Sequence, residues 1–156
     1  MVLSLRGCSW LWKGSVFLDA HRDVGVVSFT GSTGVGRQIV VTAGQRLAKV
    51  SLELGGKNAL VVCDDADLDH AVHWIIQSAF SNSGQRCAAA SRIVIFDSIY
   101  DDLRGRLVAR VEHLKVGPGD EDNLGPVINE RQLLNMLAVV SRAISKGANV
   151  LTGVRG

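Results

Sequence analysis

The stretch that most limits how this chain can fold is an apolar run that breaks into glycines and resumes as a helix. Val24 to Phe29 (VGVVSF) has the length and make-up of a buried strand. Thr30 to Gly36 (TGSTGVG) is polar and glycine-rich, which marks a tight turn. Arg37 to Ala43 can continue as a helix, and Val50 to Leu54 (VSLEL) alternates like a second strand that ends at Gly55-Gly56. Strands that alternate with helices point to an α/β fold with mostly parallel pairing.

The remainder keeps this rhythm. Ala59 to Val62 reads as a buried strand. Asp67 can cap a helix whose apolar side carries Leu68, Ala71, Val72, Ile75 and Ala79. Ser81 to Gln85 (SNSGQ) breaks that spacing, and Arg92 to Phe96 (RIVIF) is strand-like. Asp97 or Ser98 offers a cap for a helix from Ile99 with Leu103, Leu107 and Val111 on one face. Lys115 to Asn123 is a Gly/Pro/Asp loop. Asn129 to Lys146 is the clearest helix, with Leu133, Leu137, Val140 and Ile144 as its stripe and Gly147 as its stop. Asn149 to Thr152 has the look of one further strand. No internal repeat is present.

Composition narrows the class. A chain of 156 residues, 47% hydrophobic and 21% charged, suits a globular domain with a real core. A formal charge of +2 with scattered Lys and Arg argues against a nucleic-acid partner. No apolar run reaches membrane-spanning length. Met1 to Trp12 is mildly apolar, but Arg6 interrupts it and no cleavage site follows, so a signal segment is disfavoured. Cys8, Cys63 and Cys87 lack disulfide or zinc spacing, which favours a reducing cytoplasm. His70 and His73 stand three apart without a third ligand, so no metal site is expected.

Three places can carry chemistry, each with a plain structural alternative. The turn Gly31-Ser32-Thr33-Gly34-Val35-Gly36 lies between strand and helix, where backbone N–H groups can bind phosphate. Its spacing is GxxGxG, not the dinucleotide pattern GxGxxG, and on its own it reads better as a glycine turn capped by Ser32 or Thr33. Glu53 sits in an apolar strand. Partial burial would suit a general base, but an outward-facing position is the better reading from the residues alone. Cys87 follows Gly84-Gln85-Arg86 and precedes Ala88-Ala89-Ala90. A thiol at a helix start beside an Arg favours its thiolate, while the alternative is a buried structural cysteine. Cys63, in ALVVC, fits that alternative well.

Taken together, three segments resemble the NAD(P)-dependent aldehyde dehydrogenase superfamily. Phe29 to Gly36 (FTGSTGVG) is similar to its cofactor-pyrophosphate turn. Leu52 to Lys57 (LELGGK) is similar to its glutamate motif, and Phe80 to Arg92 (FSNSGQRCAAASR) to its cysteine motif. Their order and the 34-residue step from Glu53 to Cys87 match the family, as does VGPGDEDNLGPVIN further on. The resemblance begins near Asp23 and runs to the C-terminus.

The resemblance implies the end of a Rossmann-like cofactor domain (residues 23–54) followed by the first part of an α/β catalytic domain (55–156), with residues 1–22 unassigned. It implies that Cys87 attacks an aldehyde, that a thioester follows hydride loss, and that Glu53 activates water to release a carboxylic acid. The Cys87 N–H is implied as an oxyanion donor. Gly31, Ser32, Gly34, Val35 and Gly36 are implied to seat NAD or NADP, with Leu54 offering its backbone to the nicotinamide end. The glutamate favours hydrolysis over acylation of CoA. The implied partner is a small-molecule aldehyde. Full-length members are implied to form homo-oligomers, and this chain's own assembly stays open.

The family's members are much longer than this chain, beyond one typical domain. By the same comparison the oxyanion-completing Asn, the adenosine-ribose positions upstream and a second Glu downstream have no counterpart here. Met1 to about Arg22 departs from the family, and only the helix end near Leu18 to Val24 is recognisable. The expectation is therefore an internal fragment, from an internal start, a shifted frame or a truncated gene. Such a fragment is expected to expose core surface and to show little or no activity; the alternative function is an inactive interaction module.

Overall fold

A computed structural model describes residues 19–153, so Cys8 and the apolar start at Met1 to Trp12 lie outside the described residues. The chain divides into two compact units, with the boundary between Gly56 and Lys57.

The first unit is a strand–helix–strand device. Strand β1 (Val26–Gly31) pairs in parallel with β2 (Lys49–Leu54), and helix α1 (Thr33–Gly44) joins them. The register sets Thr30 opposite Glu53 and Gly31 opposite Leu54. Alternation decides the faces: Val50, Leu52 and Leu54 are half-buried, while Lys49, Ser51 and Glu53 are exposed. Ile39 and Ala43 of α1 are buried. The helix starts earlier than the glycines suggest. Ser32 takes the N-cap position, its Oγ accepting from the Val35 N–H at 3.4 Å, so Gly34, Val35 and Gly36 form the first turn rather than a loop before it. Beyond α1, Arg46 donates from Nε and Nη2 to the Asp19 carbonyl at 3.2 and 2.8 Å and from Nη1 to the Val24 carbonyl. That fork ties the entry of β1 to the exit of α1.

The second unit holds the larger core. Strands β3 (Asn58–Val62) and β4 (Ala90–Ile95) pair in parallel, with a register shift between Asn58 and Ala59. Helix α2 (Leu68–Phe80) lies between them in sequence, and α3 (Tyr100–Glu112) follows β4. Val62, Val72, Ile75, Ile76 and Leu103 form the buried cluster, flanked by Leu60, Ile93, Ile95, Phe80 and Leu107. Ile75 and Leu103 are 1% and 0% exposed. Asp67 caps α2, accepting from the His70 N–H at 2.9 Å, as its place in the sequence predicts. Arg106 on α3 reaches Asp102 at 2.8 Å and Asp69 on α2 at 2.7 Å, clasping the two helices at the surface. His70 accepts at Nε2 from the Trp74 Nε1–H at 2.8 Å.

Several expectations change. Neither Asp97 nor Ser98 caps α3 with its side chain; a 3-10 turn over Asp97–Ile99 leads into it instead. Helix α4 (Glu130–Ser145) is capped by Asn129, whose Oδ1 accepts from the Gln132 N–H at 2.9 Å, and it stops at Gly147 with φ of +92°. Its apolar stripe exists, but Leu133, Leu137 and Ile144 are exposed. Asn149 to Thr152 is not a strand. Those residues have no ladder partner among the described residues, and β-propensity without a neighbouring edge does not make a strand. Cys63, one residue past the end of β3, is exposed rather than buried.

Candidate active site

The residues expected to seat a cofactor converge at one end of the first unit. Gly31 closes β1, Ser32 caps α1, and Gly34, Val35 and Gly36 make its first turn. Leu54 closes β2 opposite Gly31. This is the C-terminal edge of two parallel strands meeting a helix N-terminus, the place where such sheets bind ligands. No acidic side chain stands in the first turn of α1, so nothing opposes the positive end of the helix dipole.

The two glycines of that turn serve different needs. A Cβ on Gly36 would meet Leu54 Cδ2 at 2.8 Å and Cδ1 at 3.2 Å, so Gly36 lets the helix lie close on β2. A Cβ on Gly34 would meet nothing within 4 Å. The chain's own packing does not require that glycine, and the open space above it suits an anionic group brought against the backbone. The residues present therefore fit a pyrophosphate. Glu53, between Leu52 and Leu54, points to the other face and is exposed.

Cys87 belongs to the second unit. It lies in a turn, not at the start of a helix: the segment leads directly into β4. The reason is visible upstream. Asn82, Ser83 and Gly84 take left-handed conformations in succession, with φ of 53°, 56° and 68°. Such a run ends α2 and cannot open another right-handed helix. Gly84 is required there, because a Cβ would also meet the Ala79 carbonyl oxygen at 2.8 Å. Ser83 Oγ donates to the Gly125 carbonyl at 2.7 Å, which anchors the run to the loop before α4. The Cys87 thiol is free and exposed. Its N–H makes no hydrogen bond among the described residues.

Two residues that the sequence reading passed over hold this segment. One is Ser83. The other is Asn58, whose Nδ2 donates to the Cys87 carbonyl at 2.7 Å and the Ala89 carbonyl at 3.4 Å. The only sequence signal was a polar residue opening an apolar strand. Its partners lie 29 and 31 residues away, beyond any local pattern.

The model of the aldehyde dehydrogenase family matches residues 14–156. The chain belongs to that family. An aldehyde dehydrogenase described as mitochondrial, from Leishmania tarentolae, is 44% identical over 136 residues, covering 85% of this chain and 27% of the relative. Among solved structures, betaine aldehyde dehydrogenase from Staphylococcus aureus in complex with NAD+ matches with a TM-score of 0.86 at 33% identity, over 89% of this chain and 28% of that one. An Escherichia coli enzyme described as NADP-dependent matches with a TM-score of 0.86 at 36% identity, over 90% of this chain and 30% of its own. The chain thus has the α/β architecture of part of the aldehyde dehydrogenase fold, spanning under a third of the length of these relatives.

Proposed function

We propose that this chain carries the nucleophile, the base and part of the cofactor seat of an enzyme that oxidises an aldehyde to a carboxylic acid with NAD or NADP. The observation that carries the reading is the free, exposed Cys87 with an unused N–H, in a turn that follows a left-handed run within the segment resembling the family's cysteine motif. Residues 23–54 are assigned to the cofactor and residues 55–156 to catalysis.

The chemistry follows from the groups. The Cys87 thiolate attacks the aldehyde carbon, and its own N–H donates to the oxygen that becomes negative, which stabilises the tetrahedral thiohemiacetal. The bound cofactor supplies a hydride acceptor for the collapse of that adduct to a thioester. Glu53 takes a proton from water, the water attacks the thioester, and Cys87 leaves as thiolate. Ser32 and the N–H groups of the first turn of α1 would hold the pyrophosphate, with Val35 on the adenine side and the Leu54 backbone on the nicotinamide side. Reduced cysteines suit the cytoplasm and the mitochondrial matrix alike. No helix among the described residues is long and apolar enough to cross a membrane.

A second reading, a catalytically silent module that binds other protein, is favoured by the exposure of Glu53 and of the α4 stripe. The purified chain mixed with NAD or NADP and simple aldehydes separates the two. Aldehyde-dependent growth of reduced-cofactor absorbance, lost in Cys87→Ala and Glu53→Gln, supports the enzyme. Absence of both turnover and cofactor binding refutes it for this chain and leaves the module.

A further inference from the structure

Asn58 opens β3 at the point where the register with β4 slips: Asn58 faces Ala90, whereas Ala59 faces Arg92. The slip brings its carboxamide over the residues just before β4. Both Nδ2 hydrogens are used, one on the Cys87 carbonyl at 2.7 Å and one on the Ala89 carbonyl at 3.4 Å. The flipped amide would set Oδ1 against two carbonyl oxygens, so the donor orientation is the one the contacts require. The turn they flank is closed by the Ala89 N–H donating to the Arg86 carbonyl at 3.1 Å.

We propose that Asn58 is a positioning residue for Cys87, its carboxamide fixing the turn that presents the thiol and the N–H together; this rests on the reading of Cys87 as the nucleophile. Two side-chain hydrogen-bonding residues tie the segment between α2 and β4 to residues outside it, while within it Asn82 Nδ2 donates to the Gln85 carbonyl at 3.3 Å. Ser83 fixes the left-handed run at one end, and Asn58 fixes the Cys87 turn at the other. With its carbonyl committed to Asn58, Cys87 has one peptide plane settled on its C-terminal side. Its N–H then stays outside the turn's own hydrogen bonds, available to an oxygen bonded through the sulfur. Neither Lys57 nor Ser91 duplicates this: the Lys57 carbonyl is taken by Arg92, and Ser91 Oγ donates to the Asn58 carbonyl rather than to the turn.

Alkylation of the full chain by iodoacetamide across a pH series, read separately at Cys87 and Cys63 by peptide mass spectrometry, tests the proposal. Cys63 lies exposed beyond the other end of β3 and serves as the internal reference. The Asn58→Ala variant is expected to slow Cys87 by about two- to fivefold at neutral pH, the range for losing an exposed hydrogen-bond anchor. Asn58→Asp keeps the side-chain size, removes the donor and sets a carboxylate against two carbonyl oxygens, so its slowing of Cys87 is expected to be larger. It also stands in if the alanine variant does not fold. Unchanged Cys87 rates in both variants, with wild-type Cys87 faster than Cys63, overturn the role of Asn58 and leave the nucleophile intact. A wild-type Cys87 no faster than Cys63 overturns both. Equal shifts at Cys87 and Cys63 report a general loosening and also overturn the proposal.

Discussion

Replacing Gly36 by alanine tests how closely α1 must lie on β2. The added methyl would stand 2.8 Å from Leu54 Cδ2, 3.2 Å from Leu54 Cδ1 and 3.5 Å from Leu52 Cδ1. Overpacking of this kind costs about 1–3 kcal/mol. Alanine recovers about 1 kcal/mol because glycine is a poor helix residue. The crowding atoms are the ends of leucine side chains, which can yield in part, so a net loss of about 1 kcal/mol is expected, or about 3 °C in the melting midpoint. Gly34→Ala is the control. It meets no atom within 4 Å and should be neutral or stabilise by about 0.5 kcal/mol. Urea denaturation followed by circular dichroism gives both values. The contact itself is tested by Gly36→Ala in a Leu54→Val background, where the Cδ atoms are gone. The double variant should lose at least about 0.5 kcal/mol less than the sum of the singles. A Gly36→Ala midpoint at or above wild type, or strict additivity with Leu54→Val, would refute the argument that Leu54 packing sets the glycine.

Other outcomes follow from the same contacts. Leu103→Ala or Ile75→Ala opens a cavity in the buried cluster and should cost about 2–5 kcal/mol, measured by urea titration. Asn129→Ala removes the α4 cap and should cost about 1 kcal/mol, with lower helical ellipticity. The hydrogen bond from Arg106 holds the Asp102 carboxyl below its ordinary value, so its share of stability is present above about pH 4 and is lost as pH falls through the depressed native value. Asp102→Asn should therefore flatten the acid limb of a stability-against-pH curve and leave the neutral side nearly level. Gly34→Ala should also weaken NAD(P) binding in a fluorescence titration, since its open space is the proposed approach of the pyrophosphate; unchanged affinity counts against that seat.

Local order was legible in the sequence wherever neighbours in the chain decide it. Asp67 and Asn129 cap helices because a side-chain oxygen three residues before a free N–H needs no distant partner. Gly147 stops α4 for a similar reason. Parallel pairing followed from the alternation of strands and helices. What failed depended on distant partners. The stretch from Asn149 to Thr152 has strand composition but pairs with no strand among the described residues. Cys87, after the break at Gly84-Gln85-Arg86, reads as a helix start, yet the left-handed run before it and the pairing of β3 with β4 set that segment as a turn. Asn58 and Ser83 were invisible because each acts on a carbonyl remote in sequence.

The outward face of Glu53 and the bare stripe of α4 are one physical fact seen twice. A parallel sheet ordinarily has both faces covered. Here β2 turns Val50, Leu52 and Leu54 inward and leaves Glu53 on the open side. In β3 and β4, Val61 and Val94 are 57% and 50% exposed while Val62 is buried. The same one-sidedness runs along α4 through Leu133, Leu137 and Ile144. Val61 and Val94 of the second unit's sheet and the stripe of α4 thus carry apolar side chains that no described residue buries. Glu53, the proposed base, stands on such an open face in contact with water. Concentration-dependent association in sedimentation, with Leu133→Glu and Leu137→Glu returning the chain to monomer, is the expected consequence of those faces. A chain that stays monomeric at high concentration with both leucines intact would mean that the exposed apolar surface is tolerated, and the argument from one-sided packing would lose its force.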